Sequence, residues 1–330
     1  MKIQVIAEVG INHNGNLKLA KKYLIECKKI GVDIVKFQVA IPRKVVTTYA
    51  KLAKYQKNFQ KKTNQLTMLN NLHLTLNEYD QLINFAKKKK VKTLFSFFDE
   101  ESLAFLIKKN QKLLKIASGE LDNFILLNKL KNFKGNIFLS TGMSSFKEIS
   151  EVVNFLNSIN IKNEQIILMH CNSSYPSPYE DINLNVLDMF KGNFNNILGY
   201  SDHSIGDIIP ICAAAKGAKY IEKHITFNSN DFGPDHKASM EFFDFKQMIH
   251  KIKIVEKSLG KYLKFATKSE KSNKAIVRKS LVASKEIKMG DIFTFNNLTS
   301  KRPGNGISPK YFKKFLGKKA KKNYKPDDQI

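Results

Sequence analysis

Eight short apolar runs, each ending in polar residues and joined by helical stretches, constrain this chain more than any other feature. They are IQVIAEVG (3–10), VDIVKFQV (32–39), VKTLFSFF (91–98), LLKIASGE (113–120), NIFLSTGM (136–143), IILMHC (166–171), NILGYSDHS (196–204) and KYIEKHIT (219–226). Near-continuous apolar content suits strands covered on both faces, and the helical stretches suit parallel crossovers. Alternation alone fits a closed barrel or an open doubly wound sheet. The polar residues decide between them. Glu8, Lys36 and Gln38, Ser96, Lys115, Ser118 and Glu120, Ser140, His170, Ser201 and His203, Glu222 and His224 recur at or near the C-terminal ends of successive runs. Such ends converge on one mouth in a (β/α)8 TIM barrel, whereas an open sheet scatters them along an edge. The chain is therefore read as α/β, with a barrel over residues 1–262.

Two stretches depart from this rhythm. Residues 40–76 are too long for an ordinary strand-to-helix loop, and AKLAKYQKNFQ within them reads as a polar helical stretch, so a lid or binding loop is expected. After Gly260, residues 263–276 are rich in lysine and serine and read as a linker. Residues 277–330 carry short strand patterns with Gly-Asp, Pro-Gly and Asn-Gly turns, which indicates a small β-rich module. About fifty residues bury little core alone, so this module is expected to dock on a barrel, its own or a partner's.

A net charge of +27 raises nucleic acid as a partner. The excess is nearly all lysine spread over helices and tail, with Arg43, Arg278 and Arg302 the only arginines, no tryptophan and no aromatic-interleaved basic stripe. It reads as solvated helix faces, whose field would still draw anionic substrates. No apolar run reaches membrane-spanning length and no secretory signal is visible. Cys27, Cys171 and Cys212 are too few and scattered for a disulfide framework. A reducing cytoplasm is expected, without membrane or nucleic-acid contact.

Lys36 and Lys115 on strands, with Ser96, Ser118, Ser140 and Ser201 nearby, make a pocket for a small multiply charged anion. His203 and His224, on neighbouring strands, supply nitrogen ligands for a divalent cation with positions left open. Glu222 shares the face of His224, since strand side chains alternate, and is read as an orienting residue behind the ligands. Glu8, Glu120 and Asp235 are carboxylates for proton transfer or for binding hydroxyls. The residues alone reach as far as metal-assisted carbon–carbon chemistry on a phosphorylated or carboxylated substrate. A metal-dependent aldolase or hydrolase fits the same description.

IAEVGINHNG, VKFQ, KIASGE, LSTGM, MHCNSSYPSP, GYSDHS, IEKHIT, GPDHKASME and KRPGNGISP, in this order, resemble the sialic acid synthase family along essentially the whole chain. The resemblance implies a barrel with a C-terminal antifreeze-like domain, and condensation of phosphoenolpyruvate with N-acetylmannosamine to give a nine-carbon 2-keto acid and phosphate. A legionaminate synthase acting on 2,4-diacetamido-2,4,6-trideoxymannose is the alternative, and the 40–76 stretch is similar to the branch that holds both enzymes. The metal it implies is manganese, with magnesium or cobalt possible, on His203 and His224. Phosphoenolpyruvate would be held by Lys36, Ser96, Lys115, Ser118, Ser140 and Ser201. Glu8, Gln38, Glu120, Tyr175 and Asp235 would face the sugar. Arg302 would reach the acyl sugar from the neighbouring subunit of a domain-swapped homodimer. TLFSFFD at 93–99 and SMEFF at 239–243 depart from the family's usual FLSTPFD and SLEP.

Overall fold

The computed structural model describes residues 2–52 and 64–330, and in it each apolar run becomes a strand. β1 (Gln4–Gly10), β2 (Ile34–Val39), β3 (Thr93–Phe97), β4 (Leu113–Ile116), β5 (Asn136–Ser140), β6 (Ile166–Cys171), β7 (Ile197–Asp202) and β8 (Tyr220–Thr226) pair in chain order, and β8 pairs back on β1. All these pairings are parallel, so the sheet is a closed eight-stranded barrel. A two-residue β9 (Met240–Glu241) extends the end of β8 and leads into the helix Phe242–Ser258. The SMEFF departure therefore builds a helix entry.

Local chemistry sets the crossover helices. The helix Leu17–Ile30 starts where the Asn16 side chain accepts from the Leu19 amide, and stops at Gly31, whose φ of 86° suits glycine. Its buried residues Ala20, Tyr23, Leu24 and Cys27 follow the three-four spacing of one helix face. Capping boxes open Leu76–Lys88 (Thr75 with Glu78) and Phe146–Ser158 (Ser145 with Glu148).

The inward face of the strands changes character along the barrel axis. Towards the N-terminal ends it is an apolar plug of Ile6, Ile34, Leu94, Phe138, Ile167, Met169 and Tyr220. Two residues further along, the same strand face carries Glu8, Lys36, Ser96, Ser140 or Glu222. Gly199 makes the plug possible on β7, because a Cβ there would lie 2.2 Å from Met169 Sδ. The outward faces pack on the helices through a second, larger core that includes Val5, Val35, Phe37, Phe95, Leu168 and Ile221.

In the 40–76 stretch, Asn64 caps the helix Gln65–Leu72, whose Met68 and Leu72 are buried with Ile11 and Leu52. The helical reading of AKLAKYQKNFQ falls, from residue 53 on, outside the described residues. Among the described residues no helix is long and apolar enough to cross a membrane.

The chain divides into two compact units, residues 1–260 and 261–330. In the second, β10 (Ser280–Ala283) and β11 (Leu298–Lys301) pair antiparallel beside a core of Ala283, Ile287, Phe293, Ala320 and Tyr324. The stretch read as a linker contains the helix Lys268–Val277, opened by a Thr267–Glu270 capping box. None of its side chains is buried, so it lacks the apolar stripe by which helices are recognised in sequence.

Candidate active site

The polar ends meet around a cavity of roughly 540 Å³ at the C-terminal mouth of the barrel. Strand register sets which groups meet. Glu8 lies opposite both Lys36 and His224, Ser96 opposite Lys115, and Ser201 opposite Glu222. All of these line the cavity, together with Gln38, Ser118, Ser140 and His203. Tyr175 and Asp235 join them from the loops after β6 and β8.

Two further candidate residues stand outside strands β1–β8. Glu120 sits on the turn Ser118–Glu120, accepts from Asn123 Nδ2 at 2.8 Å and is not among the lining residues. Strand β4 ends at Ile116, so the face alternation that pointed to Glu120 has already stopped. Arg302 belongs to the C-terminal unit, where its Nε donates to the Val277 carbonyl at 2.9 Å. His170 Nε2 donates to the Ile182 carbonyl at 2.7 Å, and His170 is not among the lining residues.

The two buried lysines share carboxylates. Lys115 Nζ is 2.6 Å from Glu222 Oε1, and Lys36 Nζ is 2.6 Å from Glu8 Oε1 and 3.6 Å from Glu222 Oε1. Ser201 Oγ and Gln38 Nε2 donate to the same oxygens of Glu222 and Glu8, each at 2.9 Å. Burial alone would raise the Glu222 carboxyl, but Lys115 and Lys36 outweigh it and hold the group well below the usual carboxylate range. Burial likewise works against charge on Lys36, which Glu222 and Glu8 overcome, raising its pKa. On Lys115 burial prevails and the pKa falls. Among the described residues, Ser96 Oγ, Glu8 Oε2 and Glu222 Oε2 are buried without a hydrogen-bond partner.

His203 and His224 stand with ring centroids 5.5 Å apart, and the Tyr175 ring lies 4.1 Å from that of His203. Burial lowers both histidines to about 3, helped by His224 in the first case and Lys36 in the second, so both imidazoles are neutral at pH 7. His203 Nδ1 lies 2.5 Å from the Asn172 carbonyl, which fixes the proton on Nδ1 and leaves Nε2 a lone pair. Among the described residues His224 Nδ1 is buried without a hydrogen-bond partner, 3.9 Å from Asp235 Oδ2. Two neutral imidazoles with free nitrogen lone pairs fit an open divalent-cation site. Among the described residues no group of three His, Cys, Asp or Glu side chains forms a closed metal cage. Asp235 is pushed up to about 7 by burial and by the Glu8 charge.

Part of the lining escaped the sequence reading. Val45, Val46, Gln65, Leu69 and His73 come from the 40–76 stretch, where only its length gave notice. Phe98, within the TLFSFFD departure, and Cys171 also face the cavity.

A family model for the NeuB family matches residues 24–264, and one for the SAF domain matches residues 278–330. The chain is 44% identical over 330 residues to the N,N'-diacetyllegionaminic acid synthase of Campylobacter jejuni, covering all of this chain and 99% of that protein. It is 30% identical to the human N-acetylneuraminate-9-phosphate synthase, over 99% of this chain and 90% of that one. The solved structure of N-acetylneuraminic acid synthetase from Leptospira borgpetersenii, in complex with citrate, superposes with a TM-score of 0.72 at 28% identity, covering 83% of this chain and 90% of the other. With both models in place and similarity along its whole length, the chain belongs to the NeuB family, the sialic, legionaminic and pseudaminic acid synthases, and is an enzyme carrying a C-terminal SAF domain.

Proposed function

We propose that this enzyme condenses phosphoenolpyruvate with the open-chain aldehyde of an N-acetylated mannosamine-type sugar, giving a nine-carbon 2-keto acid and phosphate. The observation that carries the reading is the meeting of the Lys36–Glu222–Lys115 cluster with the His203–His224 pair in one cavity. C3 of phosphoenolpyruvate attacks the aldehyde carbon, water adds at C2, and cleavage of the C2–O bond releases phosphate.

Lys36, Lys115 and the hydroxyls of Ser96, Ser118, Ser140 and Ser201 hold the phosphate and carboxylate of phosphoenolpyruvate. Because Glu8 and Glu222 already offset the two ammonium charges, the hydroxyl hydrogen bonds carry much of the orientation. Glu8, Gln38, Tyr175 and Asp235 hold the sugar. A divalent cation, manganese in the first instance, would sit on His203 and His224 and supply positive charge at the aldehyde oxygen. A carboxyl that titrates near neutrality, as Asp235 does, can give a proton to the oxygen that becomes a hydroxyl when the aldehyde is attacked. Arg302 is assigned to the acyl sugar bound in a neighbouring subunit of a swapped homodimer, where its planar fork suits an amide carbonyl.

The 44% identity to a protein named N,N'-diacetyllegionaminic acid synthase supports 2,4-diacetamido-2,4,6-trideoxymannose as acceptor. N-acetylmannosamine is the second reading, supported by similarity to the Leptospira synthetase. The test is phosphate release with manganese and each sugar. Turnover should require phosphoenolpyruvate and aldehyde together, stop with a chelator, and be lost in His224→Ala beyond rescue by excess manganese. Arg302→Ala mixed with His224→Ala should regain some activity in mixed dimers. Release of phosphate without an aldehyde, or cleavage of a keto acid without phosphoenolpyruvate chemistry, would sink the assignment.

A further inference from the structure

Ser118 begins the turn that follows β4, so its own strand does not fix its hydroxyl. Two neighbours do. The Gly142 amide donates to Ser118 Oγ at 3.1 Å, and the sulfur of Cys171, the last residue of β6, lies 3.3 Å from the same oxygen. The Gly142 amide is itself steadied by β6, because the amide and the hydroxyl of Thr141 both donate to the Met169 carbonyl at 3.1 Å. Only glycine fits at 142. A Cβ there would lie 2.8 Å from Ser118 Oγ, 3.2 Å from Cys171 Sγ and 2.2 Å from Ser173 Oγ. Ser118, Cys171 and Ser173 all line the cavity, Cys171 as a buried residue and Ser118 as a half-buried one.

A serine hydroxyl has one proton to give and two lone pairs to fill. The Gly142 amide fills one lone pair. Towards Cys171 the hydroxyl either gives its proton to the sulfur or accepts the thiol proton on its second lone pair, and the 3.3 Å separation suits both. An anion in the cavity decides between them, because an ionised oxygen is a far stronger acceptor than a thiol sulfur. We infer that Cys171 is a positioning residue for phosphoenolpyruvate: its S–H donates to Ser118 Oγ and, with the Gly142 amide on the other lone pair, commits the Ser118 proton to an oxygen of the bound anion. The thiol acts through Ser118 and stays protonated throughout. The inference rests on the proposed phosphoenolpyruvate site and explains what aims one of its hydroxyls.

Titration calorimetry of phosphoenolpyruvate into the full-length protein with manganese tests this. Cys171→Ala should weaken binding about three- to tenfold, the scale of one oriented hydrogen bond. Cys171→Val, which fills the place of the sulfur without a donor, should do the same. Cys171→Ser restores a donor and should recover most of the loss, whereas a sulfur that merely packs would leave serine no better than alanine. Ser118→Ala removes the group through which the thiol acts, so adding Cys171→Ala to it should change affinity by less than about twofold. In phosphate-release kinetics the Cys171→Ala loss should fall on KM for phosphoenolpyruvate, with kcat and the KM of the sugar moving less. Wild-type affinity in both Cys171→Ala and Cys171→Val, serine no better than alanine, or an undiminished Cys171→Ala effect in the Ser118→Ala background overturns the inference and leaves the phosphoenolpyruvate site standing. Absence of phosphoenolpyruvate binding by the wild-type protein, or an affinity unchanged in Ser118→Ala, overturns the site itself and the inference with it.

Discussion

The strand-borne floor of the cavity and its loop-borne rim treat a buried carboxyl in opposite ways. Glu222, on β8, is 2% exposed and Asp235, on the following loop, 7%, so burial penalises charge on both. Glu222 faces two ammonium groups and stays ionised, whereas Asp235 faces Glu8 and is raised to about 7. Neighbouring charge, more than depth, sets the state of an acid in this site. The floor is thereby a fixed electrostatic platform. The rim holds a proton that can be given or taken near neutral pH.

The largest break in this comparison should come from Glu222→Gln. It leaves Lys115 and Lys36 facing each other with only Glu8 between them, and loss of one partner from a buried ion pair costs about 3–5 kcal/mol. Urea unfolding at pH 7 measures it; a loss below about 1 kcal/mol would mean that the cluster is not held by Glu222.

Asp235→Asn should act in the other direction. A carboxyl raised above its unfolded value contributes stability that is full below about pH 3.8 and is lost as pH rises through about 7. At pH 8 the metal-free asparagine variant should therefore be more stable than wild type by on the order of 2–4 kcal/mol, with the gain vanishing near pH 4. Thermal or chemical unfolding across that range decides it, and equal pH profiles would refute the raised pKa.

His13 sharpens the contrast with a case of burial without an opposite charge. It is fully buried, neither ring nitrogen has a hydrogen-bond partner among the described residues, and burial together with His73 lowers it to about 3. Its contribution to stability is full above about pH 6.5 and lost as pH falls towards 3. His13→Phe should flatten the decline between pH 6 and 4 by about 1 kcal/mol per pH unit. An unchanged slope would show that His13 is not neutral in the folded protein.

The barrel was legible because its grammar is local. Ile6 and Glu8, Ile34 and Lys36, or Tyr220 and Glu222 stand two apart, and a period of two assigns each pair to one strand face whatever the rest of the chain does. The floor of the site followed from the same periodicity. What could not be read was longer-ranged or aperiodic. Sequence showed that Lys36 needed an anion, while β1 pairing with β2 and β8 determined that it would meet Glu8 and Glu222. Gln65 and Leu69 sit on a two-turn helix inside an insertion, and His73 follows it, a stretch too short for a clear amphipathic signal. Glu120 stands on the Ser118–Glu120 turn past the end of β4, where strand alternation no longer tells which way a side chain faces. The Lys268–Val277 helix was hidden for want of an apolar stripe.

The apolar plug has a kinetic consequence. With Phe138, Tyr220, Met169 and their neighbours filling the barrel below the cavity, the described residues offer ligands a single mouth for entry and exit. Whatever enters the cavity therefore leaves by the way it came. The closed floor rests on Gly199 as much as on the apolar side chains, because a Cβ there would lie 2.2 Å from Met169 Sδ.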